Sequence, residues 1–214
     1  MSQMMLFELL IATGETLYMV FASTFFAVAL GLPLGTWLHS SARIKPNPNV
    51  YRLLSSLINV TRSIPFIILL VALIPFTRFI VGTSIGTNAA MVPLTLGATP
   101  LFARLVDNVY QGLSAGLIET GYSMGANGWQ MIRYILLPEA LPGLIQATTV
   151  TAITLVNYSA MAGTVGGGGL GDLAIRYGYQ RFDAMIMLTT VFILVIIVQL
   201  IQQAGDHLAR RFTH

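Results

Sequence analysis

Residues 113–144 read LSAGLIETGYSMGANGWQMIRYILLPEALPGL. This stretch lies between two uncharged apolar runs, and its reading decides what the rest of the chain can be. Leu117, Ile118, Met124, Trp129, Ile132 and Ile135 are spaced for short amphipathic helices. Asn127-Gly128 is a turn signal between them. Pro138 and Pro142 mark the entry to the next apolar run. The whole loop, about 104–139, is too long for a tight turn and too short for a domain. The expectation is two short helices lying at a membrane surface.

The composition agrees with a membrane setting. Of 214 residues, 55% are apolar and 9% are charged, against about 25% charged in an ordinary soluble domain. The mean hydropathy is +0.76. These values exclude a disordered chain and an ordinary soluble enzyme. Eleven basic residues against eight acidic ones leave a net charge of +3. Lys45 is the single lysine, so there is no dense basic face for nucleic acid. With no cysteine, disulfides, thiolate chemistry and Cys-ligated zinc are excluded. His39, His207 and His214 show no metal-ligand spacing, so no metal site is expected. No repeat or soluble module stands out, and 1–214 reads as a single transmembrane domain.

A membrane helix needs about 20 apolar residues. Five runs qualify: Thr16–Ala42, Leu53–Thr77 (interrupted by Arg62), Phe79–Ala103, Ala140–Gly171 and Ala184–Gly205. The N-terminal stretch carries Glu8 and Glu15 and lacks the basic region of a signal peptide, so the first helix is expected to be retained. Orientation follows from lysine and arginine placement. With the 43–52 loop, the 104–139 segment and the C-terminus inside, Arg43, Lys45, Arg52, Arg62, Arg104, Arg133, Arg210 and Arg211 are inner, and Arg78, Arg176 and Arg181 outer. The expectation is N-outside, C-inside. A charge at mid-bilayer costs about 2.5–3.5 kcal/mol even on insertion scales. Arg62 therefore reads as an arginine snorkelling to the inner boundary, as a sign that the helix starts later, or as part of an interior ion pair facing a pathway. Gly31/Gly35, Gly82/Gly86 and Gly121/Gly125 have the spacing of close helix contacts. Pro33, Pro65, Pro75, Pro93 and Pro100 imply kinks or helix ends, which suit a packed bundle with a pathway.

One pattern resembles a known family. Glu119-Thr120-Gly121 is followed by Gly125 and then by Ile135, Leu137 and Pro138. This resembles the EAA motif of ABC-importer permeases, in which Glu-Ala-Ala precedes a glycine and an Ile-x-Leu-Pro at that spacing. Thr120 and Gly121 replace the two alanines. TRSIPFIILL (61–70), IPFTRFIVGTSIG (74–86), VPLTLGATPLFAR (92–104), ILLPEALPGLI (135–145) and YSAMAGTVGGGGLGD (158–172) are similar to methionine-uptake ABC permeases. The resemblance covers nearly all of the chain after about residue 15.

It implies the type I ABC importer permease fold: all-α, five transmembrane helices and a cytoplasmic coupling helix, in a bacterial inner membrane. It implies a second copy of the chain, two copies of a cytoplasmic ABC ATPase that binds the ATP, and an extracytoplasmic methionine-binding lipoprotein. The function it implies is methionine uptake, L- and D-, by alternating access. A permease for another small amino acid is the nearest alternative. A secondary transporter calls for more buried ionisable residues than Arg62 alone. An intramembrane enzyme would want a histidine or paired carboxylates in the later spans, which have neither. This chain supplies no Walker A loop, because its lysine follows Ile44 rather than a glycine.

A coupling helix needs small residues to seat in a cleft, and Gly121 and Gly125 are four apart. Glu119 is expected near a helix N-terminus, where it complements the dipole and faces partner arginine or backbone N–H groups. In the fourth span, Thr148, Thr149, Thr151, Thr154, Asn157, Tyr158 and Ser159 offer hydrogen-bonding capacity for a pathway or for interhelical contacts, and Met161 suits an adaptable gate. Gly166-x-Gly168-x-x-Gly171 matches a dinucleotide pattern but ends a membrane run, so it reads as a flexible outer turn. The outer segment Asp172–Asp183, with Arg176, Tyr177, Tyr179 and Arg181, reads equally as an interface anchor or a docking surface.

Overall fold

The computed structural model describes residues 3–212; His214 lies outside them. The described residues are helical, with α1 at Gln3–Arg43, α2 at Pro48–Ser63, α3 at Phe66–Ala72, α4 at Ile74–Val81 and α5 at Thr87–Gln111. There follow α6 at Ala115–Ser123, α7 at Gly128–Gln130, a π-helical stretch at Met131–Leu136 and α8 at Leu137–Gly163. The chain ends with α9 at Gly169–Leu173, a second π-helical stretch at Ala174–Tyr179, and α10 at Ala184–Arg211. Four uninterrupted helical stretches are long and apolar enough to cross a membrane: α1, α5, Gly128–Gly163 and α10. A fifth span is α2 plus α3, bent by 99°.

Several boundaries move from the sequence expectation. Helix α1 begins well before Thr16. Its 41 residues make it about 62 Å long, twice the ~30 Å hydrocarbon core. Glu8 and Glu15 hid this extension in the charge pattern, and both have polar partners in the fold. A Glu15 carboxylate oxygen accepts from the Gly169 N–H at 2.7 Å, and Glu8 accepts from the Tyr177 hydroxyl at 3.3 Å. The second span breaks at Ile64, which adopts extended backbone (φ −81°, ψ 124°) because Pro65 disfavours a helical residue before it. The third span is 87–111 rather than 79–103, since Gly82 and Gly86 turn with positive φ and separate α4 from α5. Arg104 and Asp107 therefore belong to the membrane helix and not to the inner loop.

Pro138 and Pro142 do not mark a helix entry. They lie inside one continuous helix, 128–163. The π-helical stretch just before Pro138 gives the physical reason. Widening the turn makes room for a proline ring that would otherwise meet the carbonyl four residues back. The second of the two expected surface helices is thus the start of this long helix, and α6 alone is short. The fourth apolar run holds a span plus a loop, as its length suggested, and the span ends at Gly163. The glycines after it form a packed turn, tied to the start of α5 by Gly86 N–H donating to the Gly166 carbonyl at 2.8 Å.

The bundle packs chiefly through α1 and α5. A Cβ on Gly31 would meet the Thr99 carbonyl and the Phe102 ring at 2.9 Å, and one on Gly35 would strike the Ala103 carbonyl and Val106. This GxxxG pair is a true helix contact. The Gly82/Gly86 pair is not. Leu9, Met19, Val20, Leu94, Ala98, Leu155 and Leu170 form the outer core, and Phe102, Val106, Tyr110, Met131, Leu136 and Leu144 the inner one.

Candidate functional site: an inner coupling unit and a polar pathway face

Helix α6 carries Glu119, Thr120 and Gly121 and docks on its own chain. Gly121 is buried, and a Cβ there would lie 2.6–2.8 Å from the Met131 and Ile135 side chains. Its smallness serves contact with the π-helical stretch, not entry into a partner's cleft. Gly125 lies past the helix end, is exposed, and has φ +80°. It closes the turn, with Ala126 N–H donating to the Gly121 carbonyl at 3.0 Å. The two glycines do not share a helix face. Glu119 is the fifth residue of α6 rather than part of its first turn, so the dipole complement is lost. It is exposed, as are Thr120 and Pro138, while Ile135 and Leu137 are half-buried.

The unit is tied firmly to the bundle. The Tyr122 hydroxyl donates to the Ile44 carbonyl, 2.7 Å away at the inner end of α1. Asn127 and Gln130 cap the start of the long helix reciprocally, each side-chain oxygen accepting from the other's N–H at 2.9 Å. Ile118, Ile132, Ile135 and Leu137 pack on the inner core. Met124, Trp129 and Tyr134 are each about two-thirds exposed or more, and Glu119 is exposed as well. An exposed apolar cluster on a surface element marks a protein contact.

Behind this unit lies a polar network that the sequence reading missed. Asp107 is fully buried. One of its oxygens faces Nδ1 of His39 at 3.4 Å, and the other accepts from Arg104 at 3.1 Å and Gln111 at 2.9 Å. Arg104 also donates to Ser55 at 3.1 Å and Asn59 at 2.8 Å. The network joins α1, α2 and α5. Its signal in the sequence was the Arg104-x-x-Asp107 spacing, misread as loop.

The four pathway candidates on α8 point to different sides. Asn157 and Met161 are exposed and four residues apart, on a side that also shows Val150 and Val165. Ser159 is buried and donates to the Val156 carbonyl at 2.8 Å. The Tyr158 ring stacks on Phe66 with centroids 4.2 Å apart. Tyr158 also lines a cavity of about 180 Å³ with Thr61, Arg62, Phe66, Leu69 and Leu101. Thr148, Thr149, Thr151 and Thr154 all donate to carbonyls of their own helix, which leaves their hydroxyls only as acceptors toward any neighbour.

At the outer end, Glu15 and Thr16 of α1 accept from the first N–H groups of α9, at 2.7 and 2.9 Å. Arg176 pairs with Asp172 at 2.7 Å, a hydrogen bond that raises the guanidinium above its ordinary pKa. Arg181 lies 4.5 Å over the Tyr177 ring. Much of the polar part of this segment is thus engaged within the chain, while Tyr179 and Phe182 remain exposed.

A bundle of five spans, one of them broken, with a short helix docked on one end, is the architecture of a transporter's membrane subunit. The chain belongs to the family of binding-protein-dependent transport system inner membrane components, whose model matches residues 12–214. It is similar to the probable D-methionine transport system permease protein MetI of Vibrio cholerae, 52% identical over 208 residues, covering 96% of this chain and 92% of that one. It is also similar to the D-methionine transport system permease protein MetI of Escherichia coli K12, 53% identical over 165 residues and 76% of each chain. Among solved structures, a chain of the MetNI methionine ABC transporter in an inward-facing conformation overlays with a TM-score of 0.98 at 52% identity, covering all of both chains. An amino acid ABC transporter crystallised with histidines overlays with a TM-score of 0.71 over 91% of each chain at 20% identity, which shows the shared fold alone.

Proposed function

We infer that this chain is the membrane permease of an ATP-driven methionine importer and works as a pair with a second copy of itself. The observation that carries the reading is the full-length overlay, at 52% identity, on a chain of the MetNI methionine ABC transporter. Two cytoplasmic ATPases hold the ATP, and an extracytoplasmic methionine-binding lipoprotein delivers the solute. Five spans make a thin wall for a solute path, so two copies around a symmetry axis supply the rest of it. The chain needs no cofactor of its own for this role.

The mechanism follows from how α6 is seated. Glu119, Thr120 and the Met124/Trp129/Tyr134 surface meet the ATPase. Closure of the ATPase pair displaces α6. Gly121 against Met131 and Ile135 passes that motion to the long helix, and Tyr122 on Ile44 passes it to α1. The half-bundle turns as a body, and the pathway opens to the other side. Asn157 and Met161, on the uncovered side of α8, face the path between the two copies, and Met161 acts there as the adaptable gate.

The test is reconstitution of the permease with its ATPase in vesicles carrying loaded binding protein. Wild type takes up labelled methionine on ATP addition. Glu119→Ala and Gly125→Arg assemble in the membrane but lose uptake. Normal uptake in both variants would remove the coupling assignment.

A further inference from the structure

The cavity at the elbow between α2 and α3 has no role in the function argued so far, yet its lining is unusual for the middle of a membrane. Gly97 and Leu101, which form one wall, are the eleventh and fifteenth of the 25 residues of α5, so the cavity lies at the middle of that span. Arg62 lines it. None of the acidic residues approaches Arg62, and among the described residues it makes no ion pair or hydrogen bond. Arg62 is exposed and lines the cavity without a counter-charge, so its guanidinium is free to pair with an anion that enters. The Tyr158 hydroxyl is likewise without a hydrogen-bond partner among the described residues. The other walls are the Phe66 ring, Leu69 and Leu101. The 180 Å³ volume is far above the ~10–15 Å³ that a single water needs. A broken span whose break lines a mid-membrane cavity is where transporters place solute.

We propose that this elbow cavity is a waypoint that holds a translocating apolar amino acid, with Arg62 binding its α-carboxylate. The proposal rests on the importer reading above. The guanidinium offers a planar fork that matches a carboxylate with two parallel hydrogen bonds. The Tyr158 hydroxyl adds a third donor. The Phe66 face is stacked on Tyr158, so the ring edge and the leucines take the side chain, and a thioether gains from lying at the edge of an aromatic ring. No carboxylate lines the cavity, so the ammonium group has no ionic anchor there. The site reads the acid group and the apolar chain.

The chain's lack of cysteine supplies the probe. Leu101→Cys is introduced into the permease of the assembled transporter in membrane vesicles, and its labelling by a small methanethiosulfonate reagent is timed. Saturating L-methionine slows labelling by at least about fivefold, and methioninol, which lacks the carboxylate, does not. Adding Arg62→Gln abolishes the protection, and Arg62→Lys restores part of it. Equal protection by methioninol, no protection by methionine, or protection that survives Arg62→Gln would overturn the proposal. Uptake in the same vesicles is the second readout, and it decides if the introduced thiol resists labelling. Arg62→Gln lowers uptake at least about tenfold and Arg62→Lys recovers part of it. Uptake by Arg62→Gln within twofold of wild type sinks the waypoint alone. Wild-type vesicles that take up no methionine sink the importer reading itself.

Discussion

His39 of α1 and Asp107 of α5 meet at 3.4 Å with almost no exposure of either side chain, 68 residues apart in sequence. The carboxylate also holds Arg104, whose side chain is 17% exposed and reaches on to α2. Three helices thus share one buried charge at the inner end of the bundle, directly behind the coupling unit. Removing one member of a buried pair leaves its partner uncompensated. Asp107→Ala should therefore destabilise by about 3–5 kcal/mol. Asp107→Asn, which keeps an acceptor for Arg104 and Gln111, should cost less. Thermal unfolding of the purified transporter in detergent checks the order. Equal melting of Asp107→Ala and wild type would show that the network carries no stability.

The Tyr122 hydroxyl is the hydrogen-bonded tie between α6 and α1. Tyr122→Phe removes one hydrogen bond, about 1 kcal/mol, and leaves the ring in place. The fold should survive. Methionine uptake per ATP hydrolysed should fall, because the coupling helix then moves with less of the bundle attached. Parallel assays of uptake and hydrolysis in the same vesicles read the ratio, and an unchanged ratio would exclude Tyr122 from transmission.

Glycine substitutions separate packed from open positions. A Cβ at Gly163 would sit within 3 Å of the Gly171 and Asp172 backbones, where nothing flexible can yield. Gly163→Ala should prevent the α8–α9 crossing and abolish accumulation of the protein. A Cβ at Gly14, inside α1, meets nothing within 4 Å. Gly14→Ala should be neutral or stabilising by up to ~1 kcal/mol, from helix propensity alone. Membrane yield and melting temperature measure both.

Glu15 anchors the outer end by accepting from Gly169. Glu15→Ala leaves that N–H without its charged acceptor and should cost about 1.5–3 kcal/mol, while Glu15→Gln keeps an acceptor and costs less. Cleavage by a protease added to the outer face, timed at the 164–183 segment, should accelerate in Glu15→Ala first.

The Gly125 turn makes a third kind of glycine test. Its φ of +80° costs an alanine about 1–2 kcal/mol although the space around it is open. Gly125→Ala should weaken coupling less than Gly125→Arg, and Gly125→Asn, which tolerates that conformation, should fall nearest wild type in the same vesicle uptake assay.

Hydropathy was enough to count the apolar runs, and the motif was enough to point to the family. Both are sums or spacings along one dimension. Their edges failed where charge and structure part company. Glu8 and Glu15 lie inside a helix expected to begin after them, and Arg104 and Asp107 lie inside a helix expected to end before them. Of three GxxxG spacings, one is a helix contact, one is a pair of turn residues, and one is split between a buried face and a left-handed turn. The threonines of α8 offered donors for a lining or for interhelical contacts, but each hydroxyl donates its proton to a carbonyl of the preceding turn.

What the sequence alone determined is the class of molecule: an all-helical, multi-span membrane bundle. Lipid solvation acts on each segment separately, so a linear reading suffices for that. The tertiary structure alone decided that Gly121 packs on its own chain, that Asp107 joins three helices, and that the exposed Arg62 lines the elbow cavity. Each of these is a short-range contact, or the lack of one, between residues far apart in the chain, and such relationships exist only once the helices have crossed.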